Sequence, residues 1–247
     1  MRVIGLVAVR TKSIRLKNKA TLNLNGKPLI LQLLLRLKRA EKLDDIVLCT
    51  STHPDDKILL KIANENGFKS FAGNEDDVMD RFIKAGERER ADVIVRITGD
   101  NPLTDPELID TMIESHIDSK ADYTRIDNLP VGITTEATTF SSLKKAFQMA
   151  EDSRQSEYMT NYFVDNPQFF KLNILQPDDE IRRPQYRLTV DYPEDYELMK
   201  KIFSNFKGKE TFSIRDVIKF LDNNPKIANI NSNIKPLKIS VNTRLKG

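Results

Sequence analysis

The feature that most limits what this chain can fold into is the run V-I-G-L-V-A-V at residues 3–9. It is apolar without alternation, so both faces of the strand it forms must be covered, as they are in a parallel sheet between layers of helices. The same logic repeats downstream. An N-G-K-P turn at 25–28 precedes a helical apolar face over 29–40 (Ile30, Leu33, Leu34, Leu37), with Pro28 suited to a helix's first turn. A strand at 45–51 is followed by a helix at 54–66 that Gly67 closes. A strand at 68–72 leads to a helix at 76–90 with acids at its start. A strand at 91–97 runs into Thr98-Gly99-Asp100 and a helix at 106–118. This alternation predicts an α/β fold, a mostly parallel sheet sandwiched by helices. Ligands collect at the C-terminal ends of such strands, which directs attention to the polar exits at 10–19 and 98–101.

After about residue 120 the pattern changes. The sequence predicts β structure within 128–140, helices at 142–150 and 155–163, a strand at 186–190 ending in Asp191, and helices at 193–203 and 213–221. The expected organisation is one domain over 1–222, with a small β/α arm at about 125–186. The Asn-, Lys- and Ile-rich stretch 223–247 is expected to be an appendage.

Composition closes off several functions. With 39 basic and 36 acidic residues the net charge is +3, too even to argue for nucleic acid. A single cysteine, Cys49, excludes a disulfide within the chain, and two histidines leave little room for a zinc site. Any divalent ion should therefore be a hard one held by carboxylates. The run at 3–9 is too short to span a membrane and leads into Arg10, Lys12 and Arg15, so a cytoplasmic protein without a membrane span is expected. Cys49 reads as core, His53 as a helix cap, and His116 as exposed.

Four segments carry chemistry, each beside a blander reading. The loop V-R-T-K-S-I-R-L-K-N-K at 9–19 places five cations within ten residues after a buried strand, which suits a triphosphate and equally describes a solvated basic loop. Asp100 and Asp191 each follow a strand, where one Mg²⁺ could be shared between them, although an Asp before Pro also caps helices. The acids at 75–80 are what a helix start favours in any case.

In order, these segments resemble the cytidylyltransferase family that includes spore-coat polysaccharide biosynthesis proteins, with Kdo and acylneuraminate cytidylyltransferases as more distant relatives. The pattern A-R-x-x-S-T-R-L-P-G-K is met at 9–19, with Lys17-Asn18 in place of Pro-Gly. G-x-x-x-D-V-L-x-R is met at 73–81, R-x-T-G-D-x-P-L at 96–103 with Asn101 within it, and P-x-G-x-x-x-E at 130–136. E-H-V-T is met at 157–160 with Tyr158 for His, and R-x-T-V-D-x-P-E-D is met in full at 187–195. The resemblance implies a Rossmann-like nucleotide-diphospho-sugar transferase fold. It implies that Val9, Arg10, Ser13, Arg15, Lys19 and Thr98 bind the nucleotide, with Asp77 and Arg81 near its base. It further implies Asp100 and Asp191 as Mg²⁺ ligands and Arg15 and Lys19 as catalytic cations. Asn101, Glu136, Glu157, Thr160 and Arg187 would face the acceptor, and the arm would face a partner subunit in a homodimer.

The activity so implied is CTP-dependent transfer of CMP to a small anionic acceptor such as a sugar acid, for surface polysaccharide or glycan synthesis. Guanylyl or uridylyl transfer to a sugar 1-phosphate uses the same metal chemistry, and a non-catalytic nucleotide-binding relative would keep the fold alone. Nucleic-acid binding by the basic loop is disfavoured, because only aliphatic residues interleave its cations.

Overall fold

The computed structural model describes residues 1–133, 135–151, 159–209, 211–235 and 243–245. Strand β1 (Val3–Ala8) is buried along nearly its whole length, as an unalternating apolar run requires. Beyond the loop that follows it, β2 (Asn23–Leu24) and β3 (Lys27–Pro28) form a small hairpin turned by Asn25 (φ 53°) and Gly26 (φ 85°). Asn-Gly supplies those left-handed values at little cost. Helix α1 (Leu29–Leu37) starts after Pro28, which stays extended because it pairs with Asn23 in the hairpin. It stops short of residue 40 because its last turn tightens: the Arg39 and Ala40 amides reach carbonyls only three residues back. The alternation continues through β4 (Asp45–Ser51), α2 (Lys57–Glu65), β5 (Lys69–Gly73), α3 (Val78–Glu89), β6 (Val93–Thr98) and α4 (Pro106–Ser119). Then come β7 (Tyr123–Ile126), β8 (Glu136–Thr139), α5 (Phe140–Met149), α6 (Asn161–Val164), β9 (Leu172–Leu175), α7 (Pro193–Asn205), α8 (Ile214–Asn223) and α9 (Pro225–Ala228).

The seven other strands form one sheet in the order β5-β4-β1-β6-β8-β7-β9, in which only β8 runs against its neighbours. One apolar layer packs α1, α2, α4, α7 and α8 on one face through Leu33, Leu59, Ile109, Met199 and Ile218. The other packs α3, α5 and α6 on the opposite face through Phe82, Leu143 and Phe163. β1 feeds both, Val3 and Val7 to the first and Ile4 and Leu6 to the second. Leu29, Ile30, Leu33, Leu34 and Leu37 of α1 are fully buried, each contributing about 1.5–3 kcal/mol by removal from water.

Several expectations need correction. Residues 186–190 do not form a strand. Arg187 makes a single bridge to Val131, and the Val190 amide turns to the Asp100 carbonyl (2.9 Å). Leu188 and Val190 are buried, so their alternation reports a covered segment crossing the sheet end. The β structure expected from residue 128 reduces at 128–132 to that same bridge, and regular pairing begins at Glu136. Among the described residues of 155–163 the helix spans only Asn161–Val164, and 155–158 lie outside them. His116 is buried, between the hydroxyls of Thr124 (2.8 Å) and Thr139 (3.3 Å). Two features of the fold stand outside these corrections. The stretch expected as an arm within the domain supplies β8, β9 and part of β7 to the main sheet. The expected appendage is tied down at two places: Ile227, Ala228 and Ile230 pack on the first core layer, and the Thr243 hydroxyl donates to Asp165 (2.7 Å).

Candidate active site

The basic loop leaves β1 held by backbone and side-chain bonds. The Val9 amide donates to the Cys49 carbonyl (3.1 Å), and the Thr11 amide and hydroxyl both donate to Asp56 Oδ1 (2.7 Å each). Burial alone would raise the Asp56 carboxyl, but hydrogen bonds from Ser51 and Thr11 outweigh it and hold it below its usual range. Farther along, Lys12 reaches Glu75 at 3.5 Å, joining the loop to the segment before α3. Asn18, where the family pattern has Gly, adopts the left-handed conformation (φ 54°, ψ 29°) and starts a single 3-10 turn, Lys19–Thr21. Asn is among the few residues that tolerate this geometry. The turn fixes the direction in which Lys19 leaves the backbone.

Lys19 points at the two carboxylates singled out in the sequence, Asp100 after β6 and Asp191 before α7. Its Nζ lies 2.7 Å from Asp100 Oδ2 and 2.8 Å from Asp191 Oδ1. Desolvation works against its charge, but Asp100 and then Asp191 more than offset it, and its pKa is raised. Asp191 collects two more cations, Arg15 on Oδ1 and Arg187 on Oδ2, both at 2.9 Å. Burial would raise its pKa, and Lys19, Arg15 and Arg187 together lower it. The Tyr192 ring lies beneath both guanidinium groups, 5.3 Å from Arg15 and 5.9 Å from Arg187.

The backbone permits this convergence at two glycines. A Cβ on Gly99 would come within 2.6 Å of Val9 Cβ, so glycine lets the exits of β1 and β6 touch. Gly132 has φ +98°, and a Cβ there would strike the Thr189 amide nitrogen at 2.4 Å. The segment bearing Asp191 therefore lies directly against 130–132.

Arg15, Lys19, Asp100, Asp191 and Arg187 thus form one cluster. Thr98 and Asn101 adjoin it, with the Asn101 amide donating to Thr98 Oγ1 (2.6 Å). Asn101 Oδ1 is buried with no hydrogen-bond partner among the described residues. In the same loop Ser13 is half-buried and Ile14 is 96% exposed. Asp77 caps α3 by accepting from the Asp80 amide (2.9 Å). Arg81 is buried and donates a 3.5 Å hydrogen bond to the Cys49 carbonyl; desolvation lowers its pKa, and Arg10 adds to the lowering. Glu136 pairs with Arg96 across β6 and β8 (2.9 Å). Thr160 precedes α6 on the second core layer and makes none of the contacts that bind the aspartate cluster. Glu157 lies outside the described residues.

Two site residues escaped the sequence reading. Asp56 anchors Thr11 from a short 3-10 turn, and nothing in P-D-D distinguishes it from helix-start acids. Asp195, read only as the end of a motif, is buried and grips Arg187 through both oxygens (2.9 and 3.1 Å). A carboxylate three residues into a helix that starts with Pro was the available signal.

Residues 4–223 match the model of the cytidylyltransferase family. The chain belongs to that family. The spore coat polysaccharide biosynthesis protein SpsF of Bacillus subtilis is 35% identical over 232 residues, covering 92% of this chain and 96% of its own. An uncharacterised protein of Methanocaldococcus jannaschii is 41% identical over 235 residues, 95% of this chain and 96% of its own. A solved cytidylyltransferase from Leptospira borgpetersenii superposes with a TM-score of 0.86 at 29% identity, covering 96% of this chain and all of that one. The protein is a nucleotidyltransferase of the cytidylyltransferase class with the mostly parallel, Rossmann-like sheet of these enzymes.

Proposed function

We propose that this cytidylyltransferase uses CTP and Mg²⁺ to attach CMP to a small anionic acceptor, a sugar acid or related compound, with release of pyrophosphate. One observation carries the reading: a basic loop delivers Lys19 between Asp100, just past the end of β6, and Asp191, on the segment that leads into α7. A centre that neutralises a triphosphate needs this mixture of cations and hard oxygen donors.

The donor set suits the metal. Both carboxylates reach a single point, where Lys19 Nζ stands. A pair of carboxylates suits Mg²⁺, an ion that keeps phosphate oxygens and water among its ligands. Asp100 and Asp191 would hold it, and when bound it would supply charge neutralisation at the α-phosphate and lower the pKa of an acceptor oxygen. The remaining work falls to the chain's own cations. Arg15 grips phosphate oxygens with a two-pronged fork, and Lys19 leaves the carboxylates for the departing pyrophosphate. Arg187, held by Asp195, orients the acceptor against Asp191. An acceptor whose attacking oxygen is itself a carboxylate, phosphate or phosphonate oxygen needs no general base, in keeping with the absence of histidine from this cluster, whereas a hemiketal hydroxyl would need the metal to help remove its proton. Asp77 and Arg81 would lie along the base, and residues 125–186 would face the acceptor and a second copy in a cytoplasmic homodimer. No helix among the described residues is long and apolar enough to cross a membrane.

The test is pyrophosphate release with Mg²⁺, crossing CTP, GTP, UTP and ATP against acidic sugars, sugar phosphates and phosphonates. Release with CTP and one acidic acceptor is expected. Release with GTP or UTP and a sugar 1-phosphate would replace this reading.

A further inference from the structure

Asn231 stands outside every motif of the family pattern, in the turn after α9, yet its side chain ends beside the reaction centre. Ile227, Ala228 and Ile230 seat that turn on the core, and Asn231 itself is 3% exposed. Its amide nitrogen donates to Asp195 Oδ1 (2.7 Å) and to the Arg187 carbonyl (2.9 Å). Both of its N–H donors are therefore used, and both acceptors belong to the segment that presents Asp191. The Asp195 side chain is fully buried. Its Oδ1 accepts from Arg187 Nε (2.9 Å) as well as from Asn231. Its Oδ2 accepts from Arg187 Nη2 (3.1 Å) and from the Asp191 and Tyr192 amides (3.0 Å each). Arg187 in turn donates to Asp191 Oδ2 (2.9 Å).

We infer that Asn231 is a positioning residue for nucleotidyl transfer, which sets the rotation of the Asp195 carboxylate and through it the place of Arg187 and Asp191. The inference rests on the proposed function. Removing Asn231 takes one of the five hydrogen bonds that fix the Asp195 carboxylate and leaves its Oδ1 with Arg187 alone, while the cations that meet the triphosphate, Arg15 and Lys19, touch neither Asn231 nor Asp195 and reach the network only through Asp191. The loss should fall on kcat more than on the KM for CTP.

The experiment is a double-mutant cycle on the full chain with Asn231→Ala and Arg187→Lys, a lysine being unable to reproduce the fork. Asn231→Ala should lower kcat about 10- to 30-fold with the KM for CTP changed less than about threefold. In the Arg187→Lys background the same substitution should cost less than about twofold, because its route to the centre is already cut. Equal costs in the two backgrounds, or a wild-type kcat in Asn231→Ala, would overturn the inference. A second measurement needs no turnover: hydrogen exchange at the Arg187 Nε–H by NMR, the signal being assigned by its loss in Arg187→Lys. Faster exchange in Asn231→Ala is expected, and unchanged exchange also overturns the inference. If the wild type releases no pyrophosphate with any pair, the transfer reading fails, and the exchange measurement still decides whether Asn231 controls Arg187.

Discussion

The two sides of the sheet are held by different means. β5, β4, β1 and β6 run five, seven, six and six residues in parallel ladders between apolar layers. β8, β7 and β9 have four residues each and lean on polar pairs: Arg96 with Glu136, His116 with Thr124 and Thr139, Asp122 with Ser142. The site repeats the contrast. Asp100 extends a regular strand, and the Gly99 amide still bonds to the Ala8 carbonyl (2.8 Å). Asp191 sits on a crossing segment with little ladder, placed by Arg187, Asp195 and Asn231. Backbone register locates the first carboxylate and side-chain partnership the second. The difference teaches that the second side should be more sensitive to single polar changes and to pH.

The largest effect tests the two aspartates against each other. Asp100→Ala and Asp191→Ala should each lower turnover by about a thousandfold or more, since each removes a charge at the reacting phosphate. Their stabilities should part. Asp100→Ala costs Lys19 one of two partners, whereas Asp191→Ala removes the shared acceptor of Arg15, Lys19 and Arg187. Urea unfolding should place Asp191→Ala about 1–2 kcal/mol below Asp100→Ala. Equal stabilities would mean that the side-chain network does not hold the Asp191 segment.

Next comes Gly132→Ala, which should destabilise by about 3 kcal/mol, from an unfavourable φ and from collision with the Thr189 amide. The measure is thermal unfolding, alongside turnover. Loss of both is expected, and a near-native melting temperature would show that the crossing segment can shift without harm.

His116 tests the pH arm of the contrast. Burial pushes its pKa down to about 4. The folded protein keeps the ring neutral while the unfolded chain protonates it near pH 6.5. Its contribution is whole above that pH and is lost as pH falls towards 4, a loss of about 2 kcal/mol at pH 5. His116→Gln should remove this part of the pH dependence, read as the difference between wild type and variant in urea at pH 7 and pH 5. A constant difference would take His116 out of the account.

How much of this was legible in the sequence follows the same division. Unalternating runs such as V-I-G-L-V-A-V declare buried parallel strands, so that side of the sheet could be read directly. β7 and β9 are too short for periodicity to register, and Leu188 and Val190 alternate because they are buried on a crossing segment. Asp100 was legible as a carboxylate at a strand exit, whereas Asp191 was legible as part of a longer motif although the strand expected before it is absent. His116 was misread because its hydroxyl partners lie on β7 and β8, elements that only the fold brings to α4. Asn231 carried no local signal at all, its two acceptors standing 36 and 44 residues away in the chain.

The smallest effect concerns a place where the backbone-held side departs from its family pattern. Asn18 occupies the left-handed conformation at φ 54°, its carbonyl accepts from the Thr21 amide (2.9 Å) and hydroxyl (3.0 Å), and Lys19 follows directly. Asn18→Gly restores the pattern's residue and should leave stability within about 0.5 kcal/mol, because glycine adopts this φ freely while loosening the unfolded chain. Asn18→Ala should cost about 1 kcal/mol, since a Cβ without a compensating amide disfavours the left-handed region. The same step should appear in function: if the turn aims Lys19, the alanine variant raises the KM for CTP a few-fold and the glycine variant does not. Matching KM values for the two would show that Asp100 and Asp191, rather than the turn, hold Lys19 in place, and the loop would then join the side of the molecule governed by side-chain partnership.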